Sequence, residues 1–192
     1  MSSKPGNTRA TTRLETPRLA LVPCAPDHLI ALREQPERFE SLVGFAVADG
    51  MHGFYVSDAV SATWLESLRA AAGTPPDPWT YGFFIVERSS GMVIGSAGFK
   101  GPPDAQGMVE IAYGVDPSCQ GQGFATEAAG AVLRYAAADP RVRLLRAHTL
   151  PEANASTGVL GKCGFVYIGE VVDPEDGPVW RWERSAAHIG TP

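Results

Sequence analysis

The chain has 192 residues, 44% hydrophobic and 19% charged, values near the globular average and far from disordered or membrane compositions. Sixteen Lys and Arg against 21 Asp and Glu leave a net charge of -5, and no basic run offers itself to a nucleic-acid backbone. That length suits one domain, expected over residues 13–185, able to bury a core without disulfides or metals.

In chain order, residues 1–12 mix Ser, Thr, Lys, Arg and Gly without an apolar stretch, so they read as a mobile arm and not as a signal peptide. Nowhere do eighteen apolar residues run together, so no membrane partner is expected. Arg18 to Val22 looks like a first strand, closed by Pro23 and followed by a helix from about Asp27. From Phe39 to Ser57 glycines and aromatics break every period, and the stretch reads as irregular, a kind of segment that often carries function. Ala59 to Ala71 then reads as a helix, ended by Gly73, Pro75 and Pro76.

Two β-rich runs, Tyr81 to Glu87 and Val93 to Phe99, are joined by the turn residues Arg88 to Gly91, and Val109 to Val115 adds a third strand to this meander. Beyond Asp116 and Pro117 comes a Gly-rich turn, then a helix in which Ala125, Ala129, Val132, Leu133 and Ala136 share one face. A strand at Leu144 to Thr149, a helix at Ala155 to Lys162, and strands at Val166 to Val172 and Val179 to Glu183 follow, with 186–192 as a flexible tail. This order predicts an α/β fold in the α+β sense, one mixed sheet with helices packed on its faces. The three cysteines, Cys24, Cys119 and Cys163, form no C-x-x-C pair for zinc or redox work and suit a reducing cytoplasm.

The turn Gln120-Gly121-Gln122-Gly123-Phe124-Ala125 carries the chemistry. A strand that ends in glycines and feeds a helix aims unpaired backbone N–H groups at one point, backed by the positive end of the helix dipole. Such a point attracts phosphate, although a tight turn alone would also need the glycines. A P-loop is excluded, because the nearest Gly-Lys pair, Gly161-Lys162, is followed by Cys163 and not by a hydroxyl residue. A dinucleotide fingerprint is disfavoured, because the region about 20 residues on, Pro140 to Arg143, is basic where an acid is needed.

The Gly turn resembles the acetyl-CoA motif Q/R-x-x-G-x-G/A of the GNAT superfamily of N-acetyltransferases. Glu110-Ile111-Ala112-Tyr113-Gly114-Val115-Asp116-Pro117, Val159-Leu160-Gly161-Lys162-Cys163-Gly164-Phe165 and Thr16-Pro17-Arg18-Leu19 look like its RimJ/RimL branch, which acetylates protein N-termini and small amines. The resemblance spans residues 13–184, with the four motifs in family order. It implies the GNAT fold: a mostly antiparallel sheet of six to seven strands, splayed between the fourth and fifth, flanked by about four helices. It also implies acetyl-CoA as co-substrate and no metal. The pyrophosphate would lie on Gln120, Gly121, Gln122, Gly123, Phe124, Ala125 and Thr126, and the pantetheine arm would pair with the main chain of Val115 like an added strand. Dimers are frequent in this branch, which makes a homodimer a candidate assembly.

Acetyl transfer to an amine needs the amine neutral, and a lysine-type amine near pKa 10.4 must lose a proton, whereas a thiol near 8.5 leaves with little help. A base therefore matters more than an acid. Glu110 is the candidate base, with His148 on the next strand as second choice; the competing reading of Glu110 is a solvent-facing or substrate-orienting residue. For the acid, much of the superfamily uses a tyrosine where this chain has Leu160, while the resembled branch places a serine nine residues before the phenylalanine, here Ser156. Asn154 either reaches the pantetheine or caps the helix at Ala155. Phe45, His52, Tyr55, Trp79 and Tyr81 either line the acceptor pocket or fill the core. The leading expectation is direct attack of a bound amine on acetyl-CoA in a ternary complex, on a protein N-terminus or a small-molecule amine. A non-catalytic acyl-CoA sensor is the alternative, and a mononucleotide-binding protein a third.

Overall fold

Apolar runs punctuated by Pro and Gly become the strands, and proline at the first helical position opens three of the helices. The computed structural model describes residues 13–57, 62–174 and 176–190. The expected arm at 1–12, the first residues of the helix read from Ala59, and 191–192 lie outside the described residues.

The elements run β1 (Leu14–Glu15), β2 (Leu19–Pro23), α1 (Pro26–Glu34), α2 (Pro36–Val43), β3 (Ala46–Val47), α3 (Asp49–Val56), α4 (Ala62–Ala70) and α5 (Pro78–Tyr81). They continue as β4 (Phe83–Glu87), β5 (Met92–Phe99), β6 (Met108–Val115), α6 (Phe124–Ala137), β7 (Leu144–Thr149), α7 (Ala155–Lys162), β8 (Val166–Asp173) and β9 (Gly177–Ser185). The strands order as β1-β2-β4-β5-β6-β7-β9-β8, with β3 added beside β5. The sheet is mostly antiparallel, as expected, and its parallel pairs are β3 with β5 and β6 with β7.

Three expectations need correction. Residues 36–56, read as irregular from Phe39 onward, carry two helices, α2 and α3. Glycines weaken helix propensity, but tertiary packing overrides it, because Phe39, Met51 and Tyr55 all bury in one apolar cluster. The described residues form nine strands and seven helices, more than six to seven and four; β1 and β3 are two-residue strands that carry too few side chains to show a period. Past the expected end at 185, Ala186–His188 make a 3-10 turn whose Ala186 joins the core, so the chain stays packed through that point.

Two apolar clusters cover the two faces of the sheet. One holds α6 against it through Phe124, Ala128, Ala129, Val132, Leu133 and Ala136, the alanines letting the helix lie close. The other packs α1 to α4 over the opposite face through Leu29, Leu32, Phe39, Met51 and Leu68. What positions the site is the divergence of β6 from β7. The two strands pair only from Met108 with Leu144 to Glu110 with Arg146, after which β6 runs on to Val115 paired on its β5 side alone.

Candidate functional site

At the end of β6 the chain turns through Pro117–Cys119 and reaches α6 with two glycines in the left-handed region, Gly121 at φ 76 and Gly123 at φ 82. Glycine adopts these angles without strain, and Gly123 is the N-cap of α6 with no side-chain hydrogen bond capping the helix. The first bonded amide of the helix is Glu127 N–H, which donates to Gly123 O at 3.1 Å. Among the described residues, no amide from Gly121 to Thr126 has a protein acceptor. Six consecutive N–H groups thus remain for an anion at the positive end of a 14-residue helix.

Behind that turn stands a brace whose role sequence reading did not assign. Arg18 Nη1 donates to Gln122 O at 2.8 Å and Arg18 Nε to Glu127 Oε2 at 2.7 Å, while its guanidinium lies 4.6 Å over the Phe124 ring. Thr16 Oγ1 and Arg18 N–H both donate to Glu127 Oε1, at 2.6 and 2.9 Å. Burial pushes the Glu127 carboxyl up, but Thr16 and Arg18 outweigh it and hold the group below its ordinary value. A carboxylate beside an anion site would repel the ligand; here Arg18, in the turn between β1 and β2, supplies its counter-charge.

The strand edge that faces the divergence is set by alternation. Glu110 O and Asp116 N–H point to β5, accepting from Lys100 N–H and donating to Ile94 O, so the odd-numbered main-chain groups of β6 point the other way. Tyr113 and Val115 therefore offer their main chain to the open side. Val115 O is already taken by Gln120 Nε2 at 3.0 Å, which ties the strand end to the Gly turn. The edge available for an added strand is thus centred on Tyr113, with Val115 contributing its N–H.

Where β6 and β7 part, a cavity of about 340 Å³ gathers Glu110, Tyr113, His148, Thr149 and Ser156. Glu110 Oε1 accepts from Lys100 Nζ at 2.8 Å and contacts His148 Nδ1 at 3.1 Å. Burial lowers the Lys100 pKa, but the hydrogen bond and charge of Glu110, with the charges of Asp173 and Asp176, raise it above normal. On the α7 side, Tyr113 Oη lies 3.1 Å from Ser156 Oγ and donates to Ser156 O at 3.3 Å. Burial pushes the Tyr113 phenol up to about 12, against the opposing hydrogen bond from Ser156. The two sequence-derived catalytic candidates, Glu110 and Ser156, thus share one cavity, as does the second choice, His148. Tyr113 was legible only as a strand residue, because its partner is 43 positions away.

Asn154 caps α7: its Oδ1 accepts from Ser156 N–H at 2.9 Å and Thr157 N–H at 3.1 Å, and Thr157 Oγ1 accepts from Asn154 N–H in return. Its carbonyl oxygen is occupied by the helix, so only the amide nitrogen is left to meet a ligand. Leu160, at the position where the superfamily commonly has tyrosine, is fully buried in the core.

On the other face of β5 and β6 lies a larger cleft of about 770 Å³, floored by Ser96, Gly98, Ala112 and Gly114 and walled by Tyr55 and Trp64. Lys100, Ala112 and Tyr113 line both cavities, which therefore adjoin. Of the aromatics singled out in the sequence, Tyr55 and Tyr81 line this cleft. Trp79 stacks in the core on Phe99 and Tyr135, Phe45 packs against the α1 to α4 cluster, and His52 Nδ1 bonds Leu32 O at 2.8 Å.

Residues 18–166 match the family described as the acetyltransferase (GNAT) domain. A curated relative, the uncharacterized N-acetyltransferase YjdG of Bacillus subtilis (strain 168), is 30% identical over 90 residues, 47% of this chain and 51% of the relative. The chain thus spans about half the length of the curated relative it matches. Among solved structures, a GNAT-family acetyltransferase from Bacillus anthracis superposes with a TM-score of 0.63 at 15% identity, covering 92% of this chain and 100% of that one. RimL, a ribosomal L7/L12 alpha-N-protein acetyltransferase in complex with coenzyme A, gives 0.62 at 16%, covering 91% and 98%. The ribosomal-protein-S5-alanine acetyltransferase of Vibrio fischeri gives 0.62 at 13%, covering 93% and 99%. At these identities the structures are alike in fold.

Proposed function

The chain belongs to the acetyltransferase (GNAT) domain family, and on that premise we propose an acetyl-CoA-dependent N-acetyltransferase of the RimJ/RimL-like branch. The acceptor is a primary amine, at a protein N-terminus or on a small molecule. The observation that carries this reading is a continuous track: open amides at Gly121 to Thr126, the unpaired edge of β6, and the Glu110 and Ser156 cavity where β6 and β7 part.

In this reading the pyrophosphate of acetyl-CoA binds the Gly121 to Thr126 amides, and its pantetheine arm pairs with Tyr113 and Val115. The amine approaches from the cleft floored by Ala112 and Gly114. Alternation along β6 puts Glu110, Ala112 and Gly114 on the cleft face, and Tyr113 on the α7 face with Ser156. Amine deprotonation, assisted by Glu110, and hydrogen bonding to the departing sulfur, by Ser156, would then occur on opposite sides of the thioester. Ser156 is too weak an acid to do more than hydrogen-bond, which suffices for a thiol leaving group.

The test is CoA release from acetyl-CoA with a panel of N-terminal peptides and small amines, alongside calorimetry with CoA. Turnover with at least one amine, and CoA binding without ATP binding, are expected. Tight CoA binding with no transfer to any amine would establish an acyl-CoA sensor instead.

A further inference from the structure

Glu110 is the base candidate that the sequence offers, yet its carboxylate is already engaged. Lys100 Nζ holds Oε1 at 2.8 Å, and the raised Lys100 pKa keeps that partner charged. A carboxylate oxygen that already accepts from an ammonium and meets an imidazole has little room left for a substrate amine. The same oxygen contacts His148 Nδ1 at 3.1 Å. An ionised carboxylate only accepts, so Nδ1 carries the hydrogen and the lone pair falls on Nε2. Nε2 has no partner among the described residues, and the ring, with a side chain only 14% exposed, lines the cavity shared with Ser156 and Tyr113. The charged groups around that cavity are Glu110 and Lys100, from β6 and the end of β5, and Asp176, from the β8–β9 connection.

From this juxtaposition we infer that His148 Nε2 is the proton acceptor for the amine, and that Glu110, itself held by Lys100, is the positioning residue that fixes the imidazole. The inference rests on the proposed acetyl transfer and names the group that makes its acceptor reactive. The ammonium form of the acceptor gives one proton to Nε2, and the imidazolium is stabilised by Glu110. The freed amine nitrogen attacks the thioester carbonyl, the C–N bond forms and the C–S bond breaks. The second proton on nitrogen goes to the departing thiolate beside Ser156, and the imidazolium returns its proton to solvent. The arrangement of carboxylate, imidazole and substrate follows the logic by which a carboxylate orients a histidine base in hydrolases.

The experiment uses the full chain, acetyl-CoA and whichever amine of the panel is turned over fastest. His148→Ala should lower kcat by about 1,000-fold with CoA affinity by calorimetry unchanged, and free imidazole should restore part of the rate in a saturable way. Glu110→Gln should cost less, about 100-fold, and the double variant should be no slower than His148→Ala alone. Should His148→Ala fail to bind CoA, His148→Gln, which keeps the shape of the cavity wall, is put through the same kinetics. A His148 variant that binds CoA and keeps its rate within threefold, or loses it without imidazole rescue, overturns the assignment and leaves the acetyltransferase reading standing. A wild-type protein that turns over no amine brings down both.

Discussion

The two faces of the sheet would serve the proposed reaction by different means. Under α6 and α7, the groups offered to the proposed co-substrate are main-chain atoms: open amides after two left-handed glycines and the unpaired edge of β6. Under α1 to α4, the cleft is made of side chains, with Tyr55 and Trp64 as walls and residues of one carbon or none at Ala112 and Gly114 as floor. Main-chain geometry constrains sequence to glycine at fixed spacing, so it leaves a motif. A side-chain wall is satisfied by many sequences and leaves none. The contrast explains why the co-substrate is far easier to name than the acceptor.

The largest effects should come from the residues where the faces meet. Glu110→Gln is expected to cut kcat by about 100-fold with CoA binding by calorimetry intact, and an unchanged rate would remove Glu110 from the reaction. Next, a side chain at Gly114, where an added Cβ meets nothing within 4 Å, should fill the cleft without disturbing the sheet. Gly114→Leu should raise the acceptor KM by about tenfold and leave CoA affinity within twofold; an equal loss of both would show that the faces are not separate.

On the opposite face, Arg18→Ala should weaken CoA binding by about fivefold through loosening of the Gly turn, with kcat in saturating acetyl-CoA preserved. The modest size reflects the half-exposed guanidinium. Asn154→Ala should cost about 1 kcal/mol of stability, read by denaturant unfolding, because Oδ1 caps two amides of α7. The smallest effect is set by pH. Glu127 has a depressed pKa when folded, so its contribution is present above its ordinary value of 4.5 and is lost as pH falls through the lower, folded value. Glu127→Gln should therefore narrow its stability gap from the wild type as the solution is acidified below 4.5.

Much of the cofactor side was legible. Gly121 and Gly123 punctuate a strand and a helix, and α7 was bounded correctly at Ala155 and Lys162 because Asn154 caps it. Helix α3 was not, because Gly50 and Gly53 lower propensity and hide the period, and α2, which holds no glycine, is only eight residues long and shows barely two turns of any period. Gly50 makes sense only in three dimensions: a Cβ there would stand 2.5 Å from Asp116 Oδ2. Ser118, through its hydroxyl, pulls the Asp116 pKa down, burial opposes, and the Ser118 and Gly50 amides pull it down again. Asp116 thereby packs the end of β6 against the start of α3, 66 residues earlier in the chain. Arg18 was likewise visible as part of a motif, but its work on Glu127 and Gln122 spans more than 100 positions.

What the sequence determined by itself is the local geometry of the anion site. Glycine's freedom at positive φ and the uncapped start of α6 fix where the amides point, whatever the rest of the chain does. Only the tertiary structure decided which side chains meet in the cavity. Glu110 with His148, and Tyr113 with Ser156, are brought together by the divergence of two parallel strands. That divergence depends on the packing of helices against both faces and is encoded at no single position.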